Sequence, residues 1–249
     1  MLMRSFYICL SLFLLVACGE KKNQTEEAPL VIITSPDNPP FEFKDTASGG
    51  DQVIGFDMDV VHKLGEYLGR PIKIVEADFS ALIPSLQSGR ADMSISGFFP
   101  TEERRKSVDF SDPYYSYKLA LLVPESSTLT SEKELNDKKL GVQLGSSHEA
   151  MGRKWVETTP GLSLVSLNKI GDLVQELKNG RIQSILIEDT TARNIAATTP
   201  GLKVVVLNVP GEALAIAFPK GSSLVTAVNE ALKKMKGDIQ EIESKWIRE

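Results

Sequence analysis

The stretch PIKIVEADFSALIPSLQSGRADMSISG (71–97) decides the fold. Residues 71–77 are typical of a strand, and residues 80–89 predict a short helix with Ser80 as a possible N-cap. Residues 91–97 alternate apolar and polar side chains, as a further strand does. A strand, a helix and a strand in succession predict a parallel sheet covered by helices.

The same alternation continues on both sides of this stretch and predicts two α/β units of about a hundred residues each. A helix from Phe56, with Asp57 as a candidate cap, precedes it, and further strands and helices follow to the end of the chain. Two apolar strands near 116–119 and 211–213 are the candidate joints. We therefore expect lobe 1 to contain 30–116 and 212–249, and lobe 2 to contain 117–211, with a ligand cleft between them.

The N-terminus has the features of a secretory signal peptide at 1–17. Arg4 precedes an apolar run that is too short to span a bilayer comfortably. The ending Leu-Val-Ala-Cys at 15–18 resembles a bacterial lipobox, which predicts a lipidated Cys18; an ordinary signal peptide with an incidental cysteine is the alternative. A polar, flexible tether follows to residue 29, and the protein is expected outside the cytoplasm on a membrane surface.

Composition narrows the class of partner. The chain has 249 residues and a net charge of −5, which argues against nucleic acid. Its two cysteines, Cys9 and Cys18, both precede the folded part, which therefore has no intrachain disulfide and no cysteine metal cluster. We expect neither a metal nor a cofactor.

Arg104 is the first candidate ligand residue. It follows Thr101, a candidate helix cap, and two glutamates that suit the first turn of a helix, where a positive charge is unfavourable. An arginine supplies a permanently charged fork for a carboxylate. The alternative is a solvated charged face.

Two further candidates stand where strands are predicted to end. Ser146 and Glu149 have the S-x-x-E spacing of a capping box, and this helix start presents N–H groups to an anion, unless it only caps the helix. His148 in the same loop is, taken alone, more typical of a surface or capping histidine. Glu188 and Asp189 close an apolar strand and could hold an ammonium group, whereas Asp189 could equally cap a helix.

Five stretches carry a family resemblance: PPFEF (39–43), GFDMDV (55–60), DFSALIPSLQSGRADMSISG (78–97), TEERRKSVDFSDPYY (101–115) and LGVQLGSSHE (140–149). From about residue 30 to its end, the chain resembles the bacterial extracellular solute-binding proteins of family 3, the periplasmic polar amino acid-binding proteins of ABC importers. The resemblance implies an α/β fold, the two-lobed periplasmic binding protein type II fold, which closes on its ligand about a hinge.

The resemblance also implies residue roles. Arg104 matches the arginine that clamps the ligand α-carboxylate, and the N–H groups around Ser147 match those that complete this site from the second lobe. Ser96 and Gly97 match the strand end that meets the α-ammonium group, Ser96 through its carbonyl. Glu188 falls where the family usually has an aspartate on that ammonium.

Other positions implied by the resemblance concern the ligand side chain. Phe79 matches the apolar residue that packs against it. Asn38 replaces a common aromatic, Phe99 replaces a common serine or threonine, and Ser35 replaces a frequent aspartate. His148 stands where a glutamine or similar polar residue is common. These departures leave the grip on the α-groups intact and alter the side-chain pocket.

The function expected from these observations is that of a membrane-anchored, monomeric, non-enzymatic receptor. It would capture an amino acid in the cleft and deliver it to an ABC permease. A periplasmic enzyme of the same fold acting on a carboxylic acid, and a sensory lipoprotein without transport, are the alternatives. The sequence contains none of the H-E-x-x-H, cysteine-nucleophile or G-x-S-x-G patterns of hydrolytic enzymes, although Glu188 or His148 could act as an acid or base.

Overall fold

A computed structural model describes residues 28–45 and 49–247. The predicted signal peptide, the lipidation site at Cys18 and all but the last two residues of the predicted tether lie outside the described residues. Within these two ranges, no helix is both long and apolar enough to cross a membrane.

The described chain alternates strands and helices throughout. The strands are β1 (Leu30–Thr34), β2 (Asp37–Asn38), β3 (Glu42–Lys44), β4 (Val53–Ile54), β5 (Ile72–Glu76), β6 (Met93–Ser94), β7 (Val108–Phe110), β8 (Tyr115–Tyr117), β9 (Leu119–Pro124), β10 (Lys139–Gln143), β11 (Ser163–Leu167), β12 (Ser184–Glu188), β13 (Leu202–Val206), β14 (Glu212–Leu214) and β15 (Ala217–Pro219). The helices are α1 (Phe56–Leu68), α2 (Phe79–Gln87), α3 (Glu102–Arg105), α4 (Ser147–Thr158), α5 (Ile170–Lys178), α6 (Asp189–Thr198), α7 (Leu224–Lys234) and α8 (Lys236–Trp246), with a 3₁₀ turn at Glu132–Glu134.

The first sheet has five strands in the order β5-β1-β6-β15-β7. β1 runs parallel to β5 and to β6, so the parallel strand–helix–strand unit predicted from 71–97 is confirmed. The strand predicted at 91–97 is shorter and contains only Met93 and Ser94; Gly97, beyond its end, has a left-handed φ of 60°. β1, α1 and α7 bury their apolar side chains together in one core.

The second sheet has five strands in the order β11-β10-β12-β9-β13. β10 runs parallel to β11 and to β12, whereas β9 runs antiparallel to β12 and to β13. The carboxyl ends of β10 and β12 therefore lie at the same edge of the sheet. We call the part built on the first sheet lobe 1 and the part built on the second sheet lobe 2.

The chain passes between the lobes along a two-stranded antiparallel ladder, in which β8 pairs with β14. β14 and β15 follow each other closely but are separate strands, because β14 pairs with β8 whereas β15 joins the first sheet. The precise lobe boundaries, 30–116 with 212–249 and 117–211, stay predictions.

Predictions of helix caps succeeded where the cap is local. Oγ1 of Thr101 accepts a hydrogen bond from the N–H of Arg104 at 3.2 Å, and Oγ of Ser146 accepts one from Glu149 at 3.0 Å. Asp57 is not a cap: α1 follows Gly55, and the buried Asp57 carboxylate accepts from the hydroxyl of Tyr114 at 2.9 Å.

Two other predicted caps also take different places. Ser80 lies inside α2, whose N-cap position is Asp78. Asp189 begins α6, and its carboxylate accepts from the N–H of Lys118, in the crossing between the lobes, at 2.9 Å. A carboxylate or a hydroxyl can form hydrogen bonds with several neighbouring groups. The sequence alone does not show which of these groups lies next to it in the folded protein.

Candidate functional site

A narrow cavity lies between the two lobes. Its volume, counted as the space open to the centre of a water molecule, is about 20 Å³. Lobe 1 lines it with Asn38, Glu42, Phe79, Ser96 and Gly97; lobe 2 lines it with Gln143, Ser146, Ser147, His148, Ile170, Leu173, Ile185, Leu186, Ile187 and Glu188. The lining includes most of the ligand residues predicted from the sequence, namely Asn38, Phe79, Ser96, Gly97, Ser146, Ser147, His148 and Glu188.

Arg104 is buried and is not among the residues that line this cavity, but it packs against Phe79, which is one of them. Its Nη1 donates to the carbonyl of Phe99 at 2.8 Å, and its Nη2 donates to the carbonyl of Gly145 in lobe 2 at 3.1 Å. The guanidinium stacks against the rings of Phe79 and Phe98, with its Cζ 5.5 and 5.1 Å from their centroids. Burial lowers the pKa of Arg104 to about 10, so it remains a cation at neutral pH.

The positive charge of Arg104 is not unfavourable at its position in α3. α3 has only four residues, so Arg104 belongs to its last turn as well as its first. No carboxylate of the described residues forms an ion pair with its guanidinium. A buried cation that bonds only to carbonyls is suited to bind an anion.

Glu188 supplies the opposite charge from lobe 2. It is the last residue of β12 and is buried, and burial raises the pKa of its carboxyl group to about 7. Among the described residues no basic side chain pairs with it. A Cβ added at Gly97 would lie 3.8 Å from its Oε1, so this carboxylate reaches across to the strand end of lobe 1.

The start of α4 forms a capping box whose return bond is shifted by one residue. Ser146 caps the N–H of Glu149, and Oε2 of Glu149 reaches back to the N–H of Gly145 at 2.7 Å. In the part of the chain that the structure describes, the N–H groups of Ser147 and His148 meet no acceptor. The first turn of α4 therefore caps itself and still offers donors to an anion.

His148 is a buried, neutral side chain. Burial, and then the charge of Arg104, lower its pKa to about 3. Its Nε2 is buried without a hydrogen-bond partner among the described residues, and its ring meets the ring of Tyr117 edge-on at 6.3 Å. It is therefore a cavity residue rather than the surface histidine that its sequence context suggested.

The hydroxyl of Ser96 is engaged within lobe 1. It donates to Oε1 of Glu42 at 2.9 Å and accepts from the N–H of Ser35 at 3.1 Å. Among the described residues, no backbone N–H outside the helices and strands bonds to the carbonyl of Ser96, and its contact with a ligand stays a prediction. The N–H of Gly97 lies 3.4 Å from Oδ2 of Asp57.

Sequence reasoning missed a pair of buried carboxyl groups, Glu42 and Asp57. Burial raises the pKa of both, that of Asp57 to about 6, and the charge of Asp57 adds to the rise at Glu42. Glu42 lines the cavity, and its carboxyl group, whose raised pKa favours the protonated form, shares a hydrogen bond with the carboxyl group of Asp57. The available signal was the presence of acids among apolar residues: Glu42 in PPFEF, and Asp57 and Asp59 in GFDMDV.

Phe99 is a predicted ligand residue that the cavity lining does not include. Its side chain is partly exposed, and only its carbonyl contributes, by accepting from Arg104. The hydroxyl that the resemblance implies at this position is therefore replaced by a ring that does not line the cavity. Asn38, by contrast, lines the cavity, and its Oδ1 accepts from Thr191 of lobe 2 at 2.7 Å.

The two lobes touch along the cleft. Besides the bonds of Arg104 and Asn38, the hydroxyl of Tyr115 lies 2.9 Å from Oγ1 of Thr190, and Asp78 pairs with Lys169 at 2.7 Å. This is the closed arrangement of a two-lobed protein. No group of three or more His, Cys, Asp or Glu side chains suited to a metal occurs in the described ranges.

Comparison with known proteins assigns the family. The model of the bacterial extracellular solute-binding proteins, family 3, matches residues 30–249, so the chain belongs to this family. It is 37% identical over 243 residues to the arginine-binding extracellular protein ArtP of Bacillus subtilis (strain 168), covering 94% of this chain and 92% of that protein.

The chain is also similar to two other binding proteins. A probable histidine-binding protein of Campylobacter jejuni is 32% identical over 249 residues, with 94% of this chain and 93% of that protein covered. A solved structure, an ancestral arginine-binding protein bound to arginine, has a TM-score of 0.83 at 35% identity and covers 89% of this chain and 99% of its own. The expected two-lobed fold is thereby confirmed, and all three of these relatives are named as binding proteins.

Proposed function

We propose that this protein captures an amino acid in the interlobe cavity and delivers it to an ABC importer. Arg104 of lobe 1 holds the α-carboxylate, together with the N–H groups of Ser147 and His148. Glu188 of lobe 2 and the carbonyl of Ser96 hold the α-ammonium group. The observation that carries the proposal is a buried cation and a buried carboxylate without ion-pair partners among the described residues, on opposite lobes beside one cavity.

A zwitterionic ligand would compensate both buried charges of the protein. A buried charge is costly unless it is paired, and the α-groups of a zwitterion pair with Arg104 and Glu188 at once. Binding one ligand to groups of both lobes also stabilises the closed arrangement. A ligand without its carboxylate or its amine leaves one of these protein charges unpaired and binds much more weakly.

We infer further that the ligand is a basic amino acid, with arginine as the first to test. After the α-groups are paired, the cavity still contains the acidic side chain of Glu42, and no basic side chain among the described residues forms an ion pair with it. A cationic ligand side chain would favour the ionised form of this carboxyl group and pair with it. Of the three relatives compared above, two are named for arginine and one for histidine.

We also propose that the protein is anchored to a membrane and works with a permease. A lipid on Cys18 holds the protein at the outer side of a membrane, and the segment to residue 29 lets the lobes reach a permease. The protein acts as a monomer and is not an enzyme. Metabolic labelling with a palmitate analogue tests the anchor, because Cys18→Ala should abolish the label.

A thermal-shift screen of the purified protein against the proteinogenic amino acids, simple carboxylic acids and amines tests the function. A ligand at a hundred times its dissociation constant stabilises by about 2.7 kcal/mol, which raises the melting temperature clearly. A shift with arginine or another basic amino acid supports the proposal. A shift with carboxylic acids that lack an amine, accompanied by their turnover, would support the enzyme alternative instead.

A further inference from the structure

Helix α5 of lobe 2 begins without a cap from its own N-cap residue. That residue is Lys169, and its side chain makes no capping hydrogen bond. Lysine is not among the preferred N-cap residues, and its charge is unfavourable beside the positive end of the helix dipole.

The missing cap comes from lobe 1. Oδ2 of Asp37 accepts from the N–H of Ile170, the first residue of α5, at 2.9 Å, and from Nε2 of Gln143 at 3.1 Å. On its own lobe, Asp37 accepts from the hydroxyl of Ser35 at 2.9 Å. The carboxylate thus bonds to both lobes, and its partner Ile170 is 133 residues away in sequence.

The neighbouring contact at the same helix end is weaker. Asp78 pairs with Lys169 at 2.7 Å, but both side chains are well exposed, so solvent screens the pair. Asp37 is partly buried and bonds to a backbone N–H, which gives its contact the fixed geometry that the exposed pair lacks.

We propose that Asp37 is a latch between the lobes: a positioning residue that stabilises the closed arrangement and slows ligand release without touching the ligand. Asp37 does not line the cavity. Opening the cleft would break its bonds to Ile170 and Gln143 and leave α5 uncapped. Since apparent affinity scales with the closed fraction, the latch tunes affinity for any ligand that the cavity accepts.

The inference rests on the proposed function only for its kinetic test, which uses L-arginine. Asp37→Ala should raise the dissociation rate about tenfold, as expected for loss of an N-cap across the closing step, and change the association rate little. Asp37→Asn keeps one acceptor oxygen and should fall between Asp37→Ala and the original protein. Equal dissociation rates in all three proteins would overturn the latch.

Asp92 offers a matched control. Its carboxylate also accepts from a backbone N–H, that of Val31 at 2.8 Å, but within lobe 1. Asp92→Ala should lower the melting temperature without changing the dissociation rate. An increase in the dissociation rate equal to that of Asp37→Ala would show a general loss of stability instead of a latch, and would overturn the proposal.

A distance measurement without ligand separates the latch from the proposed function. After Cys9 and Cys18 are replaced by serine, cysteines introduced at exposed positions on each lobe, such as Glu102 and Lys154, can carry spin labels. Asp37→Ala should reduce the short-distance population of the ligand-free protein. An unchanged distance distribution would contradict the latch, and this result does not depend on the identity of any ligand.

Discussion

The guanidinium of Arg104 in lobe 1 donates to the backbone carbonyl of Gly145 in lobe 2, with 3.1 Å between Nη2 and the oxygen. Gly145 lies just before the start of α4, where Ser147 and His148 present N–H groups. A carboxylate bound at this point would contact groups of both lobes at once. Recognition of the carboxylate and closure of the lobes would therefore be a single event.

Arg104→Ala should abolish measurable binding of the amino acid while the protein remains folded. Truncating one partner of a buried, hydrogen-bonded charge pair costs about 2–5 kcal/mol, which weakens binding by about thirty-fold or more. Isothermal titration calorimetry measures the loss, and circular dichroism checks the fold.

The next residue in the chain provides the control for Arg104. Arg105 is exposed and stacks on Phe110, with its Cζ 5.6 Å from the ring centroid. Arg105→Ala should bind as the original protein does. Retained affinity in Arg104→Ala, or equal losses in both variants, would show that Arg104 is not the carboxylate clamp.

Glu188→Gln should weaken binding and stabilise the ligand-free protein. The folded pKa of about 7 lies above the ordinary value of 4.5, so the buried carboxylate opposes folding, increasingly as the pH rises from 4.5 to 7 and fully above 7. The neutral amide removes this cost, worth up to about 3 kcal/mol. Thermal unfolding at pH 8 should show a higher melting temperature for the variant, and the difference should vanish by pH 4.5. A lower melting temperature at pH 8 would be inconsistent with an unpaired buried carboxylate.

Ligand affinity should rise as the pH increases through 7, because Glu188 loses its proton in this range. An ammonium group binds the ionised form of Glu188, which is the minor form below pH 7. Below its pKa, affinity should therefore fall about tenfold per pH unit. Asp57, whose pKa is about 6, titrates in both proteins, so the contribution of Glu188 is the part of the pH profile that Glu188→Gln removes. Identical profiles for the two proteins would remove Glu188 from the ammonium site.

Gly145→Ala should impair closure. Gly145 has a φ of +79°, and a Cβ there would lie 3.1 Å from Cα of Ser80 on the other lobe. Gly180 is a matched control in lobe 2, since its φ is +69° and a Cβ there would meet nothing within 4 Å. Both alanine variants should lose similar stability, but only Gly145→Ala should lose ligand affinity, by about tenfold or more. Equal affinities would show that this contact does not limit closure.

Local signals in the sequence predicted much of the fold. The strand–helix–strand unit at 71–97 and the caps at Thr101 and Ser146 depend on residues within a few positions of each other, and all three are confirmed. The prediction of Asp57 as a cap was wrong, because its partner Tyr114 comes from a distant segment that the local pattern cannot show.

The residues of the candidate site likewise include some that were predicted from the sequence and some that were missed. Residues of the site were identified through the family resemblance, which carries information about three-dimensional neighbours that spacing does not. Glu42, Asp37 and the burial of His148 were missed, because each depends on the other lobe or on depth below the surface. The roles of Arg104 and Glu188 in ligand binding remain predictions.

The most direct test of the central claim is calorimetric titration of the purified protein with L-arginine, agmatine, which lacks the carboxylate, and argininic acid, which has a hydroxyl in place of the α-amine. We predict that arginine binds, and that each analogue binds at least about a hundredfold more weakly, because each leaves a buried charge of the protein unpaired. Binding of both analogues with the affinity of arginine would contradict the claim that Arg104 and Glu188 hold the two α-groups.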